Sequence, residues 1–162
     1  LQVRGPRVIG SYLDDAERSA VSFQDGWLRT GDVGAIDRHG YVEIVDRAKD
    51  LVKSGGEWIS SIDLENAIMA HPAVLEASVF AVFHEKWQER PVAAVVLRPG
   101  ATATEADILD VLRPKFAKWW LPDAVLFVDA VPKTSVGKFD KKVLRERYKE
   151  LLTSSVTSGA RE

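Results

Sequence analysis

Asp46-Arg47-Ala48-Lys49-Asp50-Leu51-Val52-Lys53-Ser54-Gly55-Gly56-Glu57-Trp58-Ile59 is the stretch that decides how this chain divides. Four of its first five residues are charged, which is too polar for a strand buried on both faces. A short apolar run follows, then a Ser-Gly-Gly turn and a second short run containing Trp58. Glycines at such a tip permit positive φ and let backbone N–H groups come close to a ligand. A polar joint running straight into a Gly-tipped hairpin predicts two bodies that meet at 46–50, one of them presenting a loop to the other.

Upstream of the joint the pattern is β-rich. Gly5-Pro6 and Gly10-Ser11 punctuate short extended pieces, and Asp14 to Phe23 reads as a short helix with Asp14 or Asp15 at its start. Ala35-Ile36-Asp37 and Tyr41 to Val45 flank Arg38-His39-Gly40 as a hairpin. Leu1-Gln2-Val3-Arg4-Gly5-Pro6 reads as a strand entered midway, so the chain is expected to be a piece of a longer protein.

Downstream, Ser60 and Ser61 before Ile62-Asp63-Leu64-Glu65 give a helix N-cap, with Leu64, Ala67 and Ile68 as the buried stripe and His71-Pro72 as the stop. Val74 to Phe83 and Pro91 to Leu97 read as buried strands around a polar loop. Thr104 with Asp107 opens a second helix, extended from Lys115 to Trp120. Ala124 to Val128 is a further strand, and Asp140 caps a last helix. From Leu51 the order is ββαββαβα, which favours an α+β domain: a short β-hairpin and a three-stranded sheet packed by helices. The organisation expected is 1–45 as β-strands from the end of a larger domain, 46–50 as joint, 51–150 as the small domain and 151–162 as a disordered tail.

With 46% apolar and 28% charged residues the chain has the composition of a soluble globular protein. A net charge of −2 argues against a dedicated nucleic-acid binder. With no cysteine there is no disulfide, thiol nucleophile or Cys-based zinc site, and a cytoplasmic location is expected. His39, His71 and His84 are scattered without ligand spacing, so no metal site is expected. No apolar run reaches the length of a membrane span.

Pro132-Lys133-Thr134-Ser135-Val136-Gly137-Lys138-Phe139 invites comparison with a phosphate-binding P-loop and fails it. Pro132 stands at the first glycine, and Phe139 replaces the magnesium-binding hydroxyl. What remains is a lysine just after a glycine and just before a helix, a mobile point charge suited to phosphate or carboxylate. By composition alone Lys138 is one of 22 basic residues and a surface group. Thr30-Gly31-Asp32 sets a carboxylate, a good acceptor for ribose hydroxyls, beside closely approachable backbone, although an Asp in a turn is the plainer account. Trp58 and Trp87 could be platforms for a ligand, but aromatics in strands and loops more often pack.

In order along the chain stand Gly26-Trp27-Leu28-Arg29-Thr30-Gly31-Asp32, Gly40 to Asp50, Lys53-Ser54-Gly55-Gly56-Glu57-Trp58-Ile59 and Pro132 to Lys138. These four blocks, with Val3-Arg4-Gly5-Pro6 ahead of them, resemble the C-terminal part of the adenylate-forming enzymes. That superfamily holds acyl-CoA synthetases, firefly luciferase and peptide-synthetase adenylation domains. The stretch from Ser54 to Ser61, with Trp87-Gln88-Glu89-Arg90-Pro91 and Phe116-Ala117-Lys118-Trp119, looks most like medium- and long-chain fatty acyl-CoA synthetases.

The resemblance implies a carboxylate attacking the α-phosphorus of ATP to give acyl-AMP and pyrophosphate, then a domain rotation, then displacement of AMP by CoA. It implies Lys138 as the catalytic lysine, Asp32 and Arg47 on the nucleotide ribose, and Lys49 and Asp50 as hinge. Ser54, Gly55, Gly56, Glu57 and Trp58 would face CoA and its pantetheine arm. Mg2+ is expected with ATP, held mainly by a large N-terminal domain, which is itself the implied partner. The piece alone is expected to be inactive. Asp46 stands where glycine often precedes the hinge, and Ser61 and Asp63 stand where other branches carry proline and glutamate. Another acid–CoA ligase of the same superfamily, or a non-catalytic binding module on the same fold, are the alternatives. A homodimer or peripheral membrane association of the parent is left open.

Overall fold

A computed structural model describes residues 1–153. The expected disorder of the tail lies, from 154 on, outside the described residues. Contacts divide the chain into two units, Leu1–Lys49 and Asp50–Glu162.

The first unit is built from small antiparallel ladders. Strand β1 (Gln2–Val3) and β2 (Phe23–Gln24) flank β3 (Trp27–Arg29), with helix α1 (Ala16–Ser22) leading into β2. Asp15 caps α1 by accepting from Arg18 N at 2.9 Å. β2 and β3 are joined by Asp25-Gly26, both at positive φ, as a tight hairpin turn requires. β4 (Asp32–Ile36) pairs antiparallel with β5 (Val42–Arg47), with a bulge at Val33/Gly34. Gly34 is needed there, because an added Cβ would lie 2.8 Å from the Glu43 carbonyl oxygen.

The second unit carries the core. β6 (Val52–Ser54), β7 (Glu57–Ile59), β8 (Val74–His84), β9 (Gln88–Leu97) and β10 (Ala124–Phe127) form one sheet. β8 and β9 are an antiparallel hairpin, and β10 runs parallel to β9 after the crossover through α3 (Glu105–Leu112). The predicted hairpin and predicted three strands therefore belong to a single five-stranded sheet. The join is one bridging pair, Ser54↔Gln88, a long-range register that local pattern does not encode.

Side-chain alternation on β9 splits the interior in two. Ala93 and Val95 join Val52, Ile59, Leu64, Ile68, Ile108 and Leu112, packing α2 (Ser61–Met69) and α3 against one face. Val92, Ala94 and Val96 join Phe80, Val82, Val131 and Leu144, packing α4 (Lys141–Arg147) against the other. Ser60 caps α2 by accepting from Asp63 N, and Thr104 and Asp107 close a reciprocal capping box on α3.

Two expectations are corrected. α3 stops at Leu112, and only a 3₁₀ turn at Lys118–Trp120 follows, because Pro114 cannot continue a helix. Leu151 and Leu152, assigned to the tail, are half-buried against the Phe80 cluster, so the packed part runs past α4.

Candidate functional site

In the first unit, Asp32 and Arg47 sit opposite each other at the end of the β4–β5 ladder. Arg47 Nε lies 3.4 Å from Asp32 Oδ1, with about half of the arginine side chain exposed. Thr30 Oγ1 accepts from Asp32 N at 3.1 Å. Gly31, at φ +77°, turns the chain there, and its carbonyl accepts from Ala48 N at 2.9 Å. A carboxylate acceptor and a guanidinium fork thus share one rim beside tightly turned backbone.

After β5 the joint makes a turn. Lys49, the last residue of the first unit, is exposed. Asp50 is buried in the second unit, where its carboxylate pairs with Arg145 of α4. The two expected hinge residues therefore differ: Lys49 is exposed at the end of the first unit, whereas Asp50 is buried and paired with a helix of the second.

In the second unit, Gly55 and Gly56 form the β6–β7 turn at φ +57° and +91°. Trp87 closes on this tip: its carbonyl accepts from Gly55 N at 2.9 Å. A Cβ added at Gly55 would meet the Trp87 ring at 2.7 Å, whereas one at Gly56 would meet nothing within 4 Å. Trp58 is exposed, with Lys53 Nζ 5.0 Å from its ring centre. The Ser54 side chain is turned inward, where its Oγ accepts from Arg90 at 2.9 Å.

A cavity of about 540 Å³ opens beside this tip, lined by Ser54, Gly55, Glu57, Trp87, Arg90, Lys118, Trp119 and Asp123. Trp87 and Trp119 offer aromatic faces that suit a flat base or a thin chain, and exposed Lys118 offers positive charge. The sequence singled out the hairpin but missed Arg90 and Asp123. Arg90 stood within the quoted Trp87–Pro91 stretch, and its one physical signal was a charge directly before an apolar run that begins at Pro91.

Lys138 lies on an exposed loop pinched by the Lys133↔Phe139 bridge. Thr134 N donates to Lys138 O at 2.7 Å, Gly137 N donates to Thr134 O at 2.9 Å, and Gly137 takes φ +79°. Asp140 then accepts from Lys142 N and Val143 N to start α4. The backbone at Lys138 is held while its side chain reaches outward. Two residues into α4, Lys141 Nζ reaches Glu65 Oε1 and Ser61 Oγ, each at 2.7 Å, fastening the base of the loop to α2. Among the described residues no group of three or more His, Asp and Glu could hold a metal ion. No helix of the described residues is long and apolar enough to cross a membrane.

The second unit thus carries an exposed lysine loop and a Gly-tipped hairpin beside an aromatic cavity, and the first unit ends in a strand-borne Asp–Arg pair ahead of the polar joint. Residues 63–138 match the family described as AMP-binding enzyme C-terminal domain. The chain is 54% identical to a long-chain-fatty-acid–CoA ligase of Thermus thermophilus over 92% of its own length and 28% of that protein's. It is 48% identical to a 3-methylmercaptopropionyl-CoA ligase of Ruegeria pomeroyi, over 94% of its length and again 28% of the relative's. Among solved structures, ATP-bound MatB from Rhodopseudomonas palustris is similar, at 41% identity and a TM-score of 0.85, over 93% of this chain and 30% of that one. The chain spans less than a third of the relatives it matches.

Proposed function

We propose that this chain is the C-terminal part of an ATP-dependent fatty acid–CoA ligase. In this reading Leu1–Lys49 closes a large N-terminal domain, and the unit from Asp50 onward is mobile. The observation that carries it is the likeness to an ATP-bound structure over 93% of the chain. The fatty-acid assignment draws on the 54% identical long-chain relative. A sulfur-containing short acid, as in the name of the 48% identical relative, is the rival.

In the first step Asp32 accepts hydrogen bonds from the ribose hydroxyls of ATP, and Arg47 supports the same sugar. Lys138 bridges the acid's carboxylate, the ribose and the α-phosphate. Charge builds on the α-phosphoryl oxygens during transfer, so a positioned ammonium is a main contribution this domain can make. Mg2+ would accompany ATP, bound mainly through the N-terminal domain, and would help neutralise the phosphate charge. In the second step the joint turns at Lys49, Lys138 withdraws, and the Gly55-Gly56 hairpin takes its place. Backbone without Cβ atoms lets the pantetheine arm pass, and the cavity beside Trp87 and Trp119 takes the far end of CoA. Two reactions share one acyl-adenylate, so exchanging faces by rotation lets one small domain serve both. Use of ATP and CoA, both present in the cytoplasm, is consistent with action there.

The test is acid-dependent ATP–pyrophosphate exchange across a panel of acids. The full-length parent exchanges with fatty acids and forms acyl-CoA, while residues 1–162 alone do neither. Exchange by the isolated chain, or a parent that accepts only aryl or short acids, contradicts the reading.

A further inference from the structure

We propose that Arg90 is the positioning residue of the thiol-substrate site: a buried guanidinium that sets both walls of the cavity under the Gly55 hairpin. This rests on the reading of that cavity as the place where CoA docks.

Arg90 lies near the start of β9 with its side chain only 9% exposed. A charge removed from water at that depth is stable only when paired and fully hydrogen-bonded. All five N–H groups of the guanidinium are engaged. Nε donates to both oxygens of Asp123, at 3.0 and 2.9 Å. One terminal nitrogen donates to Ser54 Oγ at 2.9 Å and to Trp119 O at 2.7 Å. The other donates to Leu121 O at 3.1 Å and to Asp123 Oδ1 at 2.6 Å. With every donor committed, Arg90 has none left for a phosphate of an incoming ligand. Its place in the cavity lining is therefore as a fixture, not as a contact for charge.

What it fixes is specific. Ser54 ends the hairpin strand β6, which meets β9 through the single pair Ser54↔Gln88. Trp119, Leu121 and Asp123 belong to the 3₁₀ turn and the connection to β10, where Asp123 N to Pro91 O is the backbone bond to β9. Both segments contribute to the cavity lining, and near it each meets β9 through few backbone bonds, Ser54↔Gln88 on one side and Asp123 N to Pro91 O on the other. The planar fork of one arginine spans both, and its rigidity sets their separation. Lysine could keep the charge beside Asp123 but could not reproduce a five-donor fork.

The walls set in this way meet CoA and not the nucleotide, so their loosening should separate the two half-reactions. In the full-length parent, Arg90→Lys raises KM for CoA about tenfold or more, while acid-dependent pyrophosphate exchange falls by less than about threefold. Ser54→Ala removes only the tie to the hairpin and raises KM for CoA by about threefold or more; it decides the matter should Arg90→Lys fail to fold. Unchanged KM for CoA in both folded variants, or equal loss in both half-reactions, overturns the proposal. Trp119→Ala alters the cavity lining itself and separates the two claims. If it leaves KM for CoA unchanged, the docking site is misassigned. If it raises that KM while Arg90→Lys and Ser54→Ala do not, Arg90 alone is misassigned.

Discussion

Asp32 and Arg47, proposed here to hold the ribose of ATP, make a contact that contributes little to stability. Their ion pair is solvent-exposed on the arginine side, and such pairs are worth roughly 0–1 kcal/mol. A hydrogen bond between a charged group and a ligand is worth about 1.5–3 kcal/mol, or roughly ten- to a hundredfold in affinity. Arg47→Ala in the parent should therefore raise KM for ATP about tenfold or more. Its melting temperature should stay within about 2 °C, because so small a loss shifts a midpoint little. An unchanged KM, read by steady-state kinetics at saturating acid and CoA, would remove Arg47 from the nucleotide site. The sequence suggests a nucleotide role for both residues only through the ordered blocks around them; a Thr-Gly-Asp turn by itself points nowhere. Arg90 was not legible, because burial of its guanidinium depends on Ser54 and Asp123, which lie 36 and 33 residues away.

The helices illustrate the same divide among elements. The caps of α2 and α3 could be read directly, since a hydroxyl and an acid three positions on are a local signal. The stop at Pro114 was equally local but was outweighed by the apolar residues beyond it. Phe116 and Trp120 in fact stack on each other with ring centres 5.6 Å apart and pack on the α2–α3 side of the sheet. Asp107 is held below the ordinary carboxylate range, first by the backbone N–H of Thr104 and then by its hydroxyl. That support is complete at neutral pH and is lost as the pH falls through the lowered value.

α4 is tied down differently. Lys141 and Glu65 are nearly buried, and removing one member of such a pair leaves the other desolvated without its counter-charge. Lys141→Met should cost about 3 kcal/mol in a urea melt of the chain, against about 1 kcal/mol for Thr104→Ala at the α3 cap. Equal costs would show that α4 is not anchored through Lys141. Because Lys141 follows Lys138 by three residues, the same anchor steadies the base of the lysine loop.

In the whole molecule the division at Lys49/Asp50 coincides with the polar joint from which the sequence could be parsed. The change of composition there was visible without any coordinates. The pairing of Asp50 with Arg145 was not, since it joins residues 95 positions apart. That pairing fastens Asp50 to α4 within the second unit. The two-step account assigns Lys138 to the first step and the Gly55 hairpin to the second, so no single side chain should serve both. The most direct test is Lys138→Ala in the full-length parent, with the two half-reactions measured separately. The account predicts that acid-dependent ATP–pyrophosphate exchange falls by about a thousandfold or more, while conversion of supplied acyl-adenylate and CoA to acyl-CoA stays within about threefold of the unmodified enzyme. Equal loss of both half-reactions would contradict it.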